Sequence, residues 1–253
     1  MNQSESTIHL ENIRVEQGDE VCIDEFRKAA KRSRAEAVKL LNDNSMTFPC
    51  LFLLMPSIEE FRLQQQMYTK YAIAVEVSKQ ILNENYNPRK DYLKNGGEKA
   101  HETLIWMLTT GYQENKPAEK FQKIIDIVVS VLIHIYHETG ILPQVAELIF
   151  TRRIRGENVH ELIWAYFRSR ETKSLQFIAE KLPSSDLAEA DFIYDLLGIS
   201  HDTKLAPAEE YEKYIVWLQE NENKLVFNEE NKQYTSRPVV CRMDQIEGKE
   251  NAT

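Results

Sequence analysis

Arg155 and His160 close the run Arg152-Arg153-Ile154-Arg155-Gly156-Glu157-Asn158-Val159-His160. A guanidinium is a planar fork that bonds two phosphate oxygens at once, and an imidazole moves protons near neutral pH. The pair suits cleavage of a phosphodiester. Gly156 is expected to end the preceding helix and Asn158 to cap the next. His160 then falls in the first turn of that helix with Arg155 just outside it, where backbone amides and the helix dipole favour an anion. Arg152, Arg153, Asn158 and Arg168 are the neighbouring candidates for holding substrate. Residues 151–173 carry six Arg or Lys against three Glu, a local excess of +3 in a chain of formal net charge −9. A local basic patch can hold a nucleic acid, whereas the acidic whole excludes a protein that coats nucleic acid with its entire surface. A purely structural role stands beside this chemistry, because arginines at a helix end complement its dipole and a first-turn His is often a plain surface residue.

Three other groups of residues carry chemical potential. Asp126, Ser130 and His134, with His137 and Glu138 one step round, form a polar seam in the otherwise apolar run from Ile124 to Ile135. Buried polar groups need partners, at a cost of about 1–3 kcal/mol each when they lack them. Arg152, Arg153 or Arg155 are candidate partners; the alternative is that the seam is the helix's solvated edge. Glu98-x-x-His101 and Glu157-x-x-His160 are each followed by Leu-Ile-Trp, and Glu-x-x-His is the pair that dimetal helical bundles place on one helix face. Glu76, Asp126 or Glu138 would supply the further carboxylates. Both pairs also lie at expected helix starts, where the dipole favours Glu in any case. Arg27, Lys28, Lys31, Arg32, Arg34 and Lys39 form a basic run that reads as a solvated face, or as a surface docked on this chain's own acids. Gly-rich phosphate loops, a nucleophilic serine motif and a His-Glu-x-x-His zinc motif are all missing from the sequence. No cofactor and no metal is expected.

The elements that must position these residues are helices. Only 8 Gly and 8 Pro occur in 253 residues, too few for an all-β sandwich, and they punctuate segments of helical period. Helices are expected over about 23–43, 57–84, 98–110, 118–138, 143–154, 158–170, 172–182, 187–197 and 208–220, with a short strand near Ile8–Val15. Val159, Leu162, Ile163, Tyr166 and Phe167 make one buried stripe on the 158–170 helix. The 118–138 helix is apolar almost all round and is expected at the centre. The three Trp residues, at 106, 164 and 217, are expected in the core. Leu225–Phe227 and Val239–Cys241 are expected to pair as a small C-terminal β-hairpin. The fold class is therefore all-α: an antiparallel helical bundle over 57–182, an N-terminal lead-in with a basic helix over 1–56, and C-terminal helices and tail over 183–253 packing on the bundle.

The Arg-x4-His spacing at a loop-to-helix junction of an all-α bundle resembles the motif of the HEPN ribonuclease family, over about half of the chain. The resemblance implies a homodimer in which Arg and His of two protomers meet in a metal-independent endoribonuclease site. There the sugar 2′-hydroxyl attacks the adjacent phosphate and leaves a cyclic phosphate. Carried over, His160 would handle the proton and Arg155 would hold the phosphate of an RNA. Many family members have a polar residue directly after the Arg, where this chain has Gly156. Nucleotide-binding members without nuclease activity look much the same. A non-enzymatic helical module that binds a protein partner in an apolar groove is the competing expectation, and the dimetal enzyme is third.

Cys22, Cys50 and Cys241 show no CxxC spacing, so neither a disulfide framework nor a zinc knuckle is expected. A reducing cytoplasm is the expected compartment. The first residues, Met1 to Ser6, are polar and acidic, unlike a signal peptide. The apolar stretches 48–56 and 124–136 fall short of the roughly 20 residues that span a bilayer, and no membrane partner is expected.

Overall fold

Capping chemistry sets the helix boundaries. A computed structural model describes residues 9–84, 98–115, 117–199, 205–228 and 233–235, and within them the fold is all-α, with twelve α-helices and one small hairpin. The helices form two compact units, residues 1–169 and 170–253.

The first unit holds α1 (Leu10–Gln17), α2 (Asp19–Arg32), α3 (Arg34–Leu41), α4 (Phe48–Glu60), α5 (Thr69–Leu82), α6 (Glu98–Gly111), α7 (Glu119–His134), α8 (Leu142–Ile154) and α9 (His160–Phe167). The strand expected near Ile8–Val15 is instead α1. The helix expected over 23–43 is two helices, because Ser33 adopts an extended backbone and its hydroxyl accepts the Glu36 amide proton as the N-cap of α3. The helix expected over 57–84 is also two. Thr47 caps α4, Pro49 sits in its first turn where a missing N–H costs nothing, and Arg62 turns the chain left-handed at φ 53° before α5. Since α4 runs through the boundary expected at position 56 and packs on α2, α5 and α6, the N-terminal helices belong to the core rather than to a separate lead-in.

The bundle is built around α7. Phe121, Ile124, Ile125, Val128, Val129, Val131, Leu132 and Ile133 are all buried, and α5, α6 and α9 pack on it. Phe48 stacks on Phe121 with ring centroids 5.2 Å apart, and Trp106 lies against Phe48 and Tyr71. At the end of α6 the backbone of Gly111 approaches α7 closely: a Cβ there would lie 3.1 Å from Ile125 Cδ1 and 3.2 Å from Phe121 Cζ.

The second unit contains α10 (Lys173–Ala179), α11 (Leu187–Leu197) and α12 (Pro207–Asn221), followed by β1 (Val226–Asn228) and β2 (Gln233–Thr235). Leu175, Ile178, Leu182, Ile193, Tyr194, Tyr214 and Leu218 make its core. Tyr194 hydroxyl donates to the buried Glu210 carboxylate. The hairpin forms, but the partner of β1 is the nearer segment 233–235, with Phe227 opposite Tyr234. Val239–Cys241, the partner expected from the sequence, lies outside the described residues. The division after Ser169 also falls earlier than the expected boundary at 182, because α10 packs on α11 and α12.

Candidate functional site

Helices α7 and α9 lie side by side, and a groove of about 410 Å³ opens between them. Its α7 wall presents Lys123, Asp126, Ile127, Ser130 and His134, and its α9 wall presents Glu161, Trp164, Ala165 and Arg168, with Asn158 at one end. The polar seam read on α7 is thus the floor of a groove.

Asp126 anchors this floor. Arg152 Nη1 donates to Asp126 Oδ1 at 2.6 Å, and Arg152 is only 2% exposed. This is the arginine partner that the seam required. It also corrects the placing of Arg152 among the substrate-holding residues, because its guanidinium is sealed in the core and its other contacts are the Gln122 carbonyl at 3.4 Å and Glu157 at 4.0 Å. Burial pushes the Asp126 carboxyl up to about 6; Arg152 works against that rise and the Glu161 charge adds to it. The groove therefore holds a carboxyl group that changes protonation near physiological pH. Ser130 hydroxyl and His134 Nδ1 lie 3.3 Å apart one turn further on.

The motif residues occupy the junction that the sequence predicts. Gly156 ends α8 with φ 71°, the left-handed conformation that glycine adopts at no steric cost, and the amides of Gly156 and Glu157 return to the carbonyls of Arg153 and Arg152. This left-handed cap is why a glycine stands at position 156. The N-cap of α9 is Val159 rather than Asn158, and Asn158, one residue earlier, forms an Asx turn in which its Oδ1 accepts the His160 amide proton at 2.9 Å. The Arg155 and His160 side chains are not brought together within the chain. Arg155 donates to the Glu114 carbonyl at 2.8 Å and to Asn115 Oδ1 at 3.1 Å, tying the end of α8 to the segment after α6. His160 is exposed and leans on Trp164, with ring centroids 5.5 Å apart. Arg153 is exposed and is not among the groove residues.

Trp164 is the residue that sequence reasoning misplaced. Trp106 is half-buried against Phe48 and Tyr71, but Trp164 is 37% exposed, as is Trp217. The Arg168 guanidinium lies over the Trp164 ring at 5.4 Å, so His160, Trp164 and Arg168 follow one another at successive turns of α9, and of these Trp164 and Arg168 line the groove. The signal was present in the spacing. Once the buried stripe takes Leu162, Tyr166 and Phe167, positions 160, 164 and 168 are left together on the other side.

The remaining candidates are engaged elsewhere. Glu76 accepts from Gln64 and Gln80, and His101 pairs with Glu138 at 3.3 Å and stacks on Tyr136. Among the described residues no group of three His, Cys, Asp or Glu side chains is placed to hold a metal. In the basic run, Arg27 pairs with Glu60, Lys28 with Glu25 and Arg32 with Glu36, while Arg34 caps the carbonyls of Phe61 and Arg62. Among the described residues no helix is long and apolar enough to cross a membrane. No family model, no curated protein and no solved structure matches the chain.

Proposed function

We propose that the first unit binds single-stranded RNA, seating one base in the groove between α7 and α9 against the Trp164 ring. The observation that carries this reading is the half-exposed indole on the groove wall, with an imidazole one turn before it and a guanidinium one turn after it. Unpaired bases stack on aromatic faces and arginine planes, and each such stack is worth about 1–3 kcal/mol. Arg168 and Lys123 supply cations for the neighbouring phosphates, with Lys123 now pairing Glu84 at 3.4 Å. Asp126 and Glu161 put carboxylate oxygens where a base edge would lie, and these accept from the exocyclic amines of nucleobases. The groove volume falls within the roughly 300–1,000 Å³ of small-ligand sites.

Fluorescence anisotropy with a labelled single-stranded oligoribonucleotide, in EDTA at low salt, tests the reading. Trp164→Ala is expected to weaken binding about tenfold or more, and Arg168→Ala severalfold. Equal affinity in wild type and Trp164→Ala contradicts it.

The exposure of His160 and its contact with the Trp164 ring favour a second reading, in which the bound strand is cut without a metal by a homodimeric site. Arg155 would then have to exchange the Glu114 carbonyl and Asn115 for a phosphate. Cleavage that persists in EDTA and disappears in both His160→Ala and Arg155→Ala supports this reading. Its absence leaves RNA binding alone.

A further inference from the structure

Cys22 on α2 and Cys50 on α4 are both 0% exposed, and their sulfurs lie 3.9 Å apart in the core of the first unit. Neither residue takes part in the groove. The Cys22 thiol donates to the Leu10 carbonyl of α1 at 3.4 Å, which leaves its lone pairs open to the Cys50 thiol. We infer that this pair is an oxidation site, closed to a Cys22–Cys50 disulfide by hydrogen peroxide and gated by the lifting of α1.

Three observations support the inference. The first is geometric: a disulfide needs its sulfurs at about 2.0 Å, so the two atoms close by about 2 Å from a contact they already make. The second is chemical. The hydrogen bond from Cys50 and the nearby Arg14 charge favour the Cys22 thiolate against its burial, while the donor role of Cys50 and its burial raise that thiol. Cys22 is therefore the attacking sulfur and Cys50 the resolving one. The third is access. Among the residues of α1 only Leu10 is buried, and an eight-residue helix does not hold itself. α1 packs on α2 and α4, and polar ties hold its edge: His9 to Asp43 at 2.6 Å, Thr47 to Glu11 at 2.6 Å, and Arg14 to Glu114. Lifting α1 removes the Leu10 carbonyl that accepts from Cys22. A site this enclosed admits a molecule of peroxide size before it admits a bulky disulfide.

The step balances. The Cys22 thiolate attacks one peroxide oxygen and breaks the O–O bond, giving a sulfenic acid and a hydroxide that takes up the proton Cys22 lost on ionising, which makes the first water. Cys50 sulfur then attacks the sulfenic sulfur and displaces the second oxygen as water. Two thiols are oxidised by two electrons, peroxide is reduced, and the new bond ties α2 to α4 across 28 positions of sequence.

The test is mild peroxide treatment of the reduced full chain under native conditions, followed by alkylation, intact mass and non-reducing peptide mapping. The expected product is lighter by about 2 Da, carries a peptide joining Cys22 to Cys50, reverts with dithiothreitol and keeps its helical circular dichroism. Cys241→Ser forms the same bond. Leu10→Ala, which loosens α1, forms it severalfold faster. The inference is overturned if peroxide gives only sulfinic or sulfonic acids at these positions, links either of them to Cys241, leaves both as thiols, or joins them only after urea has unfolded the chain. An unchanged rate in Leu10→Ala overturns α1 as the gate.

Discussion

Asp126 answers two opposed demands. Burial favours its neutral form, and Arg152, itself sealed in the core, favours the charged one; the balance leaves the carboxyl at about 6. Its unfolded value is about 3.9, so the folded chain binds a proton more tightly than the unfolded chain. The stability contribution of that proton is complete below about pH 4 and is lost as pH rises through about 6. The wild type is expected to lose on the order of 2 kcal/mol from this group between pH 4 and pH 7. Asp126→Asn, which cannot ionise, is expected to lack that segment of the pH dependence. Urea unfolding of the first unit at pH 4.5, 5.5 and 7 checks this, because all other carboxylates titrate in both proteins; parallel curves would contradict it. The pairing of the seam with an arginine of the 152–155 run was readable from the cost of burying polar groups. The choice of Arg152 over Arg155 was not, since it depends on which face of α8 turns inward. That same turn removes Arg152 from the solvent-facing candidates.

At the scale of the element, the fold rests on the close approach of α6 to α7. Gly111 allows that contact, and the neighbours of its missing Cβ are the ends of Ile125 and Phe121, themselves packed against Phe48. Gly111→Val is expected to destabilise by about 1–3 kcal/mol through overpacking, read as a lower urea midpoint with an unchanged slope. Helices with plain apolar stripes and Gly or Pro at their ends were readable in the sequence: 187–197 matches α11 in full, and 143–154 and 208–220 match α8 and α12 to within a residue at each end. The failures share a cause. Pro49 and Pro56 look like breakers, yet the first lies in the first turn of α4 and the second is exposed inside it. Conversely, no glycine or proline marks the break at Arg62, where an arginine takes the left-handed turn. On α9 the stripe gave Leu162, Tyr166 and Phe167 as buried, whereas Val159 and Ile163 are only half-buried, and the opposite edge, with Trp164, went unread because a tryptophan amid apolar neighbours looks like core.

For the whole molecule, the groove lies within the unit spanning residues 1–169, where 21 Lys and Arg stand against 23 Asp and Glu, so the RNA contacts proposed for that unit would be local rather than general. Only Arg168 and Lys123 are cations on the groove wall. Each phosphate neutralised on a single strand contributes about −0.7 to the slope of log K against log salt. The expected slope is therefore about −1.4, well short of that of a protein held by a broad basic face, and a slope of −4 or steeper would point to the basic run on α2 and α3 instead. The central claim is that a base rests on Trp164, and it is tested most directly by ultraviolet cross-linking of a 5-iodouridine oligoribonucleotide to the full chain, with the adduct located by peptide mass spectrometry. The account predicts one principal adduct in α9 at Trp164, lost in Trp164→Leu. An adduct confined to residues 27–39 or to the second unit, or no adduct at all under conditions of saturating RNA, contradicts it.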